Sequence, residues 1–98
     1  MLNYNSVIKG ESILMLDETF KNAKHKTVGL KQTQRALEKG LVRRLFIAKD
    51  AEPHVLRSII EWCANHNMEH TEVSTMKELG KACGIEVGTA VAAILDDK

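Results

Sequence analysis

The stretch Arg43-Arg44-Leu45-Phe46-Ile47-Ala48 limits what this 98-residue chain can fold into more than any other. Four consecutive apolar residues between a charged pair and a turn read as a strand, and a strand without polar alternation has no face to give to solvent. It has to be covered on both sides. The flanking segments supply the covers. Upstream, Leu30, Thr33 and Leu37 recur at i, i+3 and i+7, one buried helical stripe that runs on to Gly40. Downstream, the turn Lys49-Asp50-Ala51-Glu52 leads into Pro53, which suits a first helical position because its missing N–H would be unpaired there. Val55, Leu56, Ile59, Ile60 and Cys63 then form a core-facing stripe that should stop at Asn65-His66-Asn67.

Elsewhere, Gly10 to His25 reads as a helix with acids early and bases late, the order its dipole favours, and Lys26 to Val28 reads as a short strand. A strand around His70 to Val73 precedes Thr75-Met76-Lys77-Glu78, whose Thr-x-x-Glu spacing is that of a capping box, so a short helix should run to Cys83 and stop at Gly84. Thr89 to Leu95 is the last strand. Helix and strand alternate throughout, which predicts an α/β fold, a layered α/β/α domain with its sheet buried between helices. The length fits one domain over residues 1–98, with a core over about 11–95, able to bury about 60–70% of its unfolded surface without a metal or a disulfide.

Composition removes several function classes. No apolar run approaches the roughly 20 residues of a membrane span, and Met1-Leu2-Asn3-Tyr4-Asn5 lacks the order of a signal peptide, so a cytoplasmic protein is expected. Cys63 and Cys83 then read as reduced, buried thiols. Gly80-Lys81-Ala82-Cys83-Gly84 matches neither the Walker nor the dinucleotide fingerprint and ends a helix instead of opening one. Cys63, His66, His70 and Cys83 follow no standard metal spacing, so no metal, no cofactor and no enzyme activity are expected. The net charge of +1 conceals a split: residues 21–49 hold nine Lys and Arg against one acid, Glu38, whereas residues 50–98 hold four against nine acids. A basic segment of this kind forms a phosphate-binding patch if folding gathers it, or a dispersed solvated surface if folding scatters it.

Two stretches carry possible chemistry. From Val28 to Arg35, Gly29 sits between a strand and a helix start, with Lys31, Gln34 and Arg35 opposite the buried stripe. A helix beginning there offers unpaired N–H groups and a partial positive charge, with a glycine that admits close approach. That is an anion site, or an ordinary strand end beside a solvated face. In Ile85-Glu86-Val87-Gly88, two β-branched apolar residues stand in a turn where polar ones are usual; they either fold back onto the core or line a binding surface.

Three ordered blocks, Gly29-Leu30-Lys31-Gln32-Thr33-Gln34-Arg35-Ala36-Leu37, Leu45 to Pro53, and Leu79 to Gly88, together resemble the ribosomal protein L7Ae/L30e superfamily, over nearly the whole chain from about Glu11 to Leu95. The resemblance implies a three-layer α/β/α sandwich with a mixed four-stranded sheet, binding kink-turn RNA without catalysis or cofactor. Many members open the first block Gly-x-Asn-Glu-x-x-Lys; Lys31, Gln32 and Arg35 hold the matching positions here, similar to bacterial ribosomal-protein-like members with a Gly-x-Lys-Gln opening. By that resemblance Gly29 and Leu30 admit the RNA, and Lys31, Gln32 and Arg35 contact tandem G·A pairs. Ile85, Glu86, Val87 and Gly88 receive an unstacked nucleotide, and Lys26, Lys39, Arg43 and Arg44 are candidates for supporting phosphate contacts. Lys31 can donate to guanine O6 and N7, and Gln32 can donate and accept at an adenine edge. The implied setting is a monomer on structured RNA, either rRNA on the ribosome or a riboswitch. The alternative is a protein-interaction module on the same fold.

Overall fold

The computed structural model describes residues 18–96. Residues 18–22 are helical. They are followed by β1 (Lys26–Val28), α1 (Leu30–Glu38), β2 (Val42–Ala48), α2 (Pro53–Asn65), β3 (His70–Val73), α3 (Met76–Cys83) and β4 (Val91–Leu95). The four strands form one mixed sheet in the order β1-β4-β2-β3, with β4 antiparallel to both neighbours and β3 parallel to β2.

The apolar run in β2 is covered on both faces, as its lack of alternation requires. Leu45 and Ile47, with Val91 and Ala93 of β4, pack against Ala36 and Leu37 of α1 and Ile59 and Cys63 of α2. Phe46 and Ala48, with Ala92 and Ile94, point the other way into Phe20, Leu79, Ala82 and Cys83. Phe20 and Phe46 meet with ring centroids 4.9 Å apart at 53°. This is an α/β/α sandwich. Each large side chain buried in the two cores is worth about 1.5–3 kcal/mol over its exposed state.

The start of β2 breaks the strand period. Val42 pairs with Leu95 and Arg44 with Ile94, so β2 spends two residues where β4 spends one. This bulge lets Val42 and Leu45, three apart, reach the same core, and leaves Arg43 and Arg44 exposed.

Several boundaries differ from the sequence reading. The helix expected over Gly10 to His25 has ended by Ala23, and its part before residue 18 lies outside the described residues. Ile60, expected on the core stripe, is 39% exposed. The stripe of α2 is centred on Ile59 and Cys63, one turn apart, so the residue after Ile59 is rotated to the boundary. β4 begins at Val91 instead of Thr89, because the Thr89 N–H donates to the Met76 carbonyl and not to a neighbouring strand.

The capping box forms by half. Thr75 Oγ1 accepts the Glu78 N–H at 3.1 Å. The Met76 N–H is taken at 2.7 Å by Asp50 Oδ1 from the β2–α2 turn, and Glu78 Oε1 is buried without a hydrogen-bond partner. Gly84 closes α3 in the left-handed conformation, φ 85°, where the sequence placed the stop. Among the described residues no helix is long and apolar enough to cross a membrane.

Candidate nucleic-acid interface

The connectivity gathers loops at one end of the sheet. The helices α1, α2 and α3 start where β1, β2 and β3 finish, and antiparallel β4 begins there. Three hydrogen bonds stitch this end: Gly29 N–H to Val91 O at 2.8 Å, Ala48 N–H to Ala90 O at 2.9 Å and Lys49 N–H to Val73 O at 2.8 Å. Gly29 and the 85–88 loop, 56 residues apart at their nearest members, therefore arrive together. Gly29 and Thr89, the residue that follows the loop, share one acceptor. Val91 O accepts both the Gly29 N–H and, at 3.0 Å, the Thr89 hydroxyl.

Gly29 has φ 99° and ψ 162°, a conformation that side-chain-bearing residues avoid. A Cβ placed on it would meet nothing within 4 Å. The glycine is thus fixed by its backbone angle, and the space above it is open to a partner. As the N-cap of α1 it supplies no side-chain cap, so the first-turn N–H groups point outward uncapped. Below it, the buried hydroxyls of Thr27 and Thr33 bond each other at 2.8 Å and lock β1 to α1.

Lys31 and Arg35 stand exposed one turn apart on α1, and Gln32 is exposed beside them. Leu30 packs half-buried against the α1–α2 core and does not face solvent with them. Gln32 is committed in part. β1 is an edge strand, and its outward Val28 N–H donates to Gln32 Oε1 at 3.1 Å. The contact orients the amide with its two N–H groups free to donate, while the oxygen keeps one lone pair to accept.

The 85–88 loop lies along α3 because two glycines allow it. A Cβ on Gly80 would run into the Val87 carbonyl oxygen, and one on Gly88 would stand 3.1 Å from Met76 backbone atoms. The Ile85 N–H bonds Gly80 O at 3.0 Å and the Thr89 N–H bonds Met76 O at 3.1 Å, pinning the loop at both ends. Ile85 is half-buried and Glu86 and Gly88 are exposed. Val87 is 70% exposed, the largest exposure of any big apolar side chain among the described residues. Gly80, Thr89 and Asp50 all shape this end, yet none stood out as a site residue in the sequence. Gly80, a glycine inside a helix, is a visible signal for close helix–loop approach, although the Gly80–Gly84 stretch fails as a phosphate loop.

Lys26, Lys39, Arg43 and Arg44 are not brought to this end. Arg43 and Arg44 open β2 and Lys39 follows α1, so they stand at the far end of the sheet from Gly29. Ten residues of helical rise separate Lys39 from Gly29, about 15 Å. Lys26, three residues before Gly29, is roughly 10 Å back along β1. The Arg44 guanidinium lies 5.1 Å from the Phe46 ring centroid, over that ring.

The residues weighed for a metal are distributed as follows. Cys63 is buried in the core on one sheet face and Cys83 in the core on the other. Burial raises the Cys63 thiol pKa, and it pushes the Cys83 thiol up to about 11 against the opposing pull of Lys26. His66 stacks on Trp62 at 3.8 Å and 9°, with its Nδ1–H donated to the Trp62 carbonyl at 2.9 Å. Among the described residues no three His, Cys, Asp or Glu groups are grouped to hold a metal ion.

Fold and geometry define an α/β/α sandwich whose reactive-looking surface is the loop end beside β1 and β4. The sequence model of the ribosomal protein L7Ae/L30e/S12e/Gadd45 family matches residues 11–98, and the chain belongs to that family. It is 47% identical over 68 residues to an RNA-binding protein of Caldanaerobacter subterraneus, covering 69% of this chain and 83% of that one. It is 35% identical over 94 residues to an RNA-binding protein of Bacillus pumilus, covering 96% and 99%. A solved structure, the 15.5 kDa RNA-binding protein of Giardia lamblia, superposes with a TM-score of 0.75 at 20% identity, covering 100% of this chain and 79% of that one, which shows the shared fold.

Proposed function

We propose that the protein is a non-catalytic, ribosome-associated RNA-binding protein that recognises kink-turn RNA through the Gly29 end of its sheet. The observation that carries this reading is the junction at Val91 O, which holds an open, positive-φ glycine at an uncapped helix start beside a loop with an exposed valine. An uncapped first turn favours anionic groups. Lys31 and the outward amide N–H groups of Gln32 are both donors, matched to the N7 and O6 acceptors on purine edges. Arg35, one turn further, reaches a base or a phosphate. Val87 offers an apolar surface to a base splayed out of the stack, the form in which single RNA bases are usually read. Relatives named as RNA-binding proteins support the same reading.

Binding should be measured to a kink-turn duplex and to the same duplex with its G·A pairs replaced by Watson–Crick pairs. The kink-turn is expected to bind more tightly, and Gln32→Ala to narrow the difference. Equal affinity of the unaltered protein for both RNAs rejects recognition of the kink. Salt-insensitive association with a protein, and none with structured RNA, would identify an interaction module instead.

A further inference from the structure

The far end of the sheet holds a second concentration of charge. β4 ends at Leu95, and three basic segments converge on Leu95 and Asp96. Leu95 N–H bonds His25 O at 3.0 Å, placing Lys24 and Lys26 there, and Asp96 N–H bonds Leu41 O at 2.9 Å, placing Lys39 there. Arg44 pairs with Ile94 from the other side, and Arg43 is carried out on the bulge. Lys24, Lys26, Lys39, Arg43 and Arg44 are all exposed. The described acids nearby are Glu38, Asp96 and Glu69, the last set beside Arg44 by the Leu45–His70 pairing, and the one ion pair among the described residues, His54 with Glu52, is elsewhere. Five cations thus sit at one end of the sheet with no carboxylate within pairing distance among the described residues.

The layout selects the kind of anion. Lys26 and Arg44 both pair with Ile94, one from each side, so they form a row across three strands on one sheet face. Two strand spacings separate their backbones, about 10 Å. That spacing suits a backbone presenting several phosphate groups. Arg44 is held in place over Phe46, which lowers the entropy it would lose on contact. A spread set of cations at the opposite end of the sheet from Gly29 is placed to meet a different stretch of RNA from the one that fills the loop end.

We infer that this far end is a second RNA-binding surface that grips the phosphate backbone of a separate duplex segment without regard to sequence, so that one molecule can bridge two RNA elements. The inference rests on the RNA-binding reading of the loop end, and its test separates the two. The protein is saturated with a short labelled kink-turn RNA, and a plain A-form RNA duplex carrying a second label is added at low salt. Capture of both labels on one protein is expected, with duplex affinity in the weak range of non-specific binding, roughly 10⁻⁴–10⁻⁶ M. The variant Lys24→Gln/Arg43→Gln should lose duplex capture and make the slope of log affinity against log salt shallower by up to about 0.9 for each contact removed, while the kink-turn affinity stays within twofold.

Displacement of the kink-turn by the duplex, one for one, overturns the second surface, as does duplex capture that survives the substitutions. Competition by polyglutamate as strong as that by the duplex at equal charge would reassign the surface to an acidic protein. Failure to bind the kink-turn alone, with duplex capture still lost in the variant, would remove the proposed function and leave this surface standing.

Discussion

Gly80→Ala sets two effects of opposite sign against each other. Gly80 lies inside α3, where alanine is worth about 1 kcal/mol more than glycine, so propensity alone makes the substitution stabilising. The added Cβ, however, would overlap the Val87 carbonyl oxygen and stand 3.0 Å from the Val87 carbonyl carbon and 3.1 Å from Gly88 Cα. All three are backbone atoms, so no rotamer change relieves the contact, and the loop must lift from the helix. Lifting it breaks the bonds that hold its ends, Ile85 N–H to Gly80 O and Thr89 N–H to Met76 O. Two such bonds at about 0.5–1.5 kcal/mol each come to about 1–3 kcal/mol, against the gain of about 1. The net expectation is a loss of about 0–2 kcal/mol by urea unfolding. Hydrogen exchange at Ile85 and Thr89 should quicken, and kink-turn affinity should fall with the displacement of Val87. A variant that is about 1 kcal/mol more stable, with both amides still protected, would show that the loop does not depend on Gly80 and would refute the reasoning.

Gly29→Ala places a side chain at φ 99° with no packing partner, so the whole cost is backbone strain, about 1–3 kcal/mol in chemical denaturation; a loss under about 0.5 kcal/mol would mean the turn relaxes freely. Thr33→Val leaves the buried Thr27 hydroxyl without its partner at a cost of about 1–3 kcal/mol, and Thr27→Val/Thr33→Val should recover most of it, so an additive double variant would contradict the pairing. The Cys83 thiol is raised from 9.0 to about 11 by burial, so the folded state holds its proton where the unfolded chain has released it. Its contribution to stability is therefore complete below pH 9.0 and declines as pH rises towards 11. Cys83→Ala should flatten that part of the stability–pH curve, and an unchanged slope would show that the thiol is not the group responsible.

The layers of this fold were legible because burial on both faces leaves a mark that needs no tertiary knowledge. The unbroken Leu45–Ala48 run forced a cover on each side, and the helical stripes on either flank supplied it. Boundaries were legible where one residue decides them, as with Pro53 opening α2 and Gly84 closing α3. They were missed where a distant group decides them: Thr89 leaves the strand because Met76 O, thirteen residues earlier, takes its N–H, and Met76 is capped by Asp50, twenty-six residues before it. The charge split told that residues 21–49 are basic, but a linear count cannot say which end of a sheet a base occupies. β1, α1 and β2 run up, down and up, so their bases are dealt to both ends, Lys31 and Arg35 towards one and Lys26, Lys39, Arg43 and Arg44 towards the other.

Under the proposed function, the same topology accounts for a loop end that is specific and a far end that is only charged. Helix starts and strand ends meet at the loop end, and their spare backbone groups are consumed by one another: Gly29 N–H and the Thr89 hydroxyl by Val91 O, Val28 N–H by Gln32, Met76 N–H by Asp50. Each bond fixes the direction of a group that remains free, such as the outward amide of Gln32 or the open face of Gly29. Fixed donors can discriminate between acceptors because a misplaced one leaves a desolvated group unpaired. At the far end, Lys24, Lys26, Lys39 and Arg43 have no hydrogen bond of comparable kind from side chain to backbone among those described. Long, solvated cations of that sort follow a phosphate backbone wherever it lies, which gives affinity and salt dependence but no preference among bases. Adding a lysine at the loop end would therefore raise affinity for every RNA alike, whereas freeing Gln32 from Val28 would cost discrimination before it cost affinity.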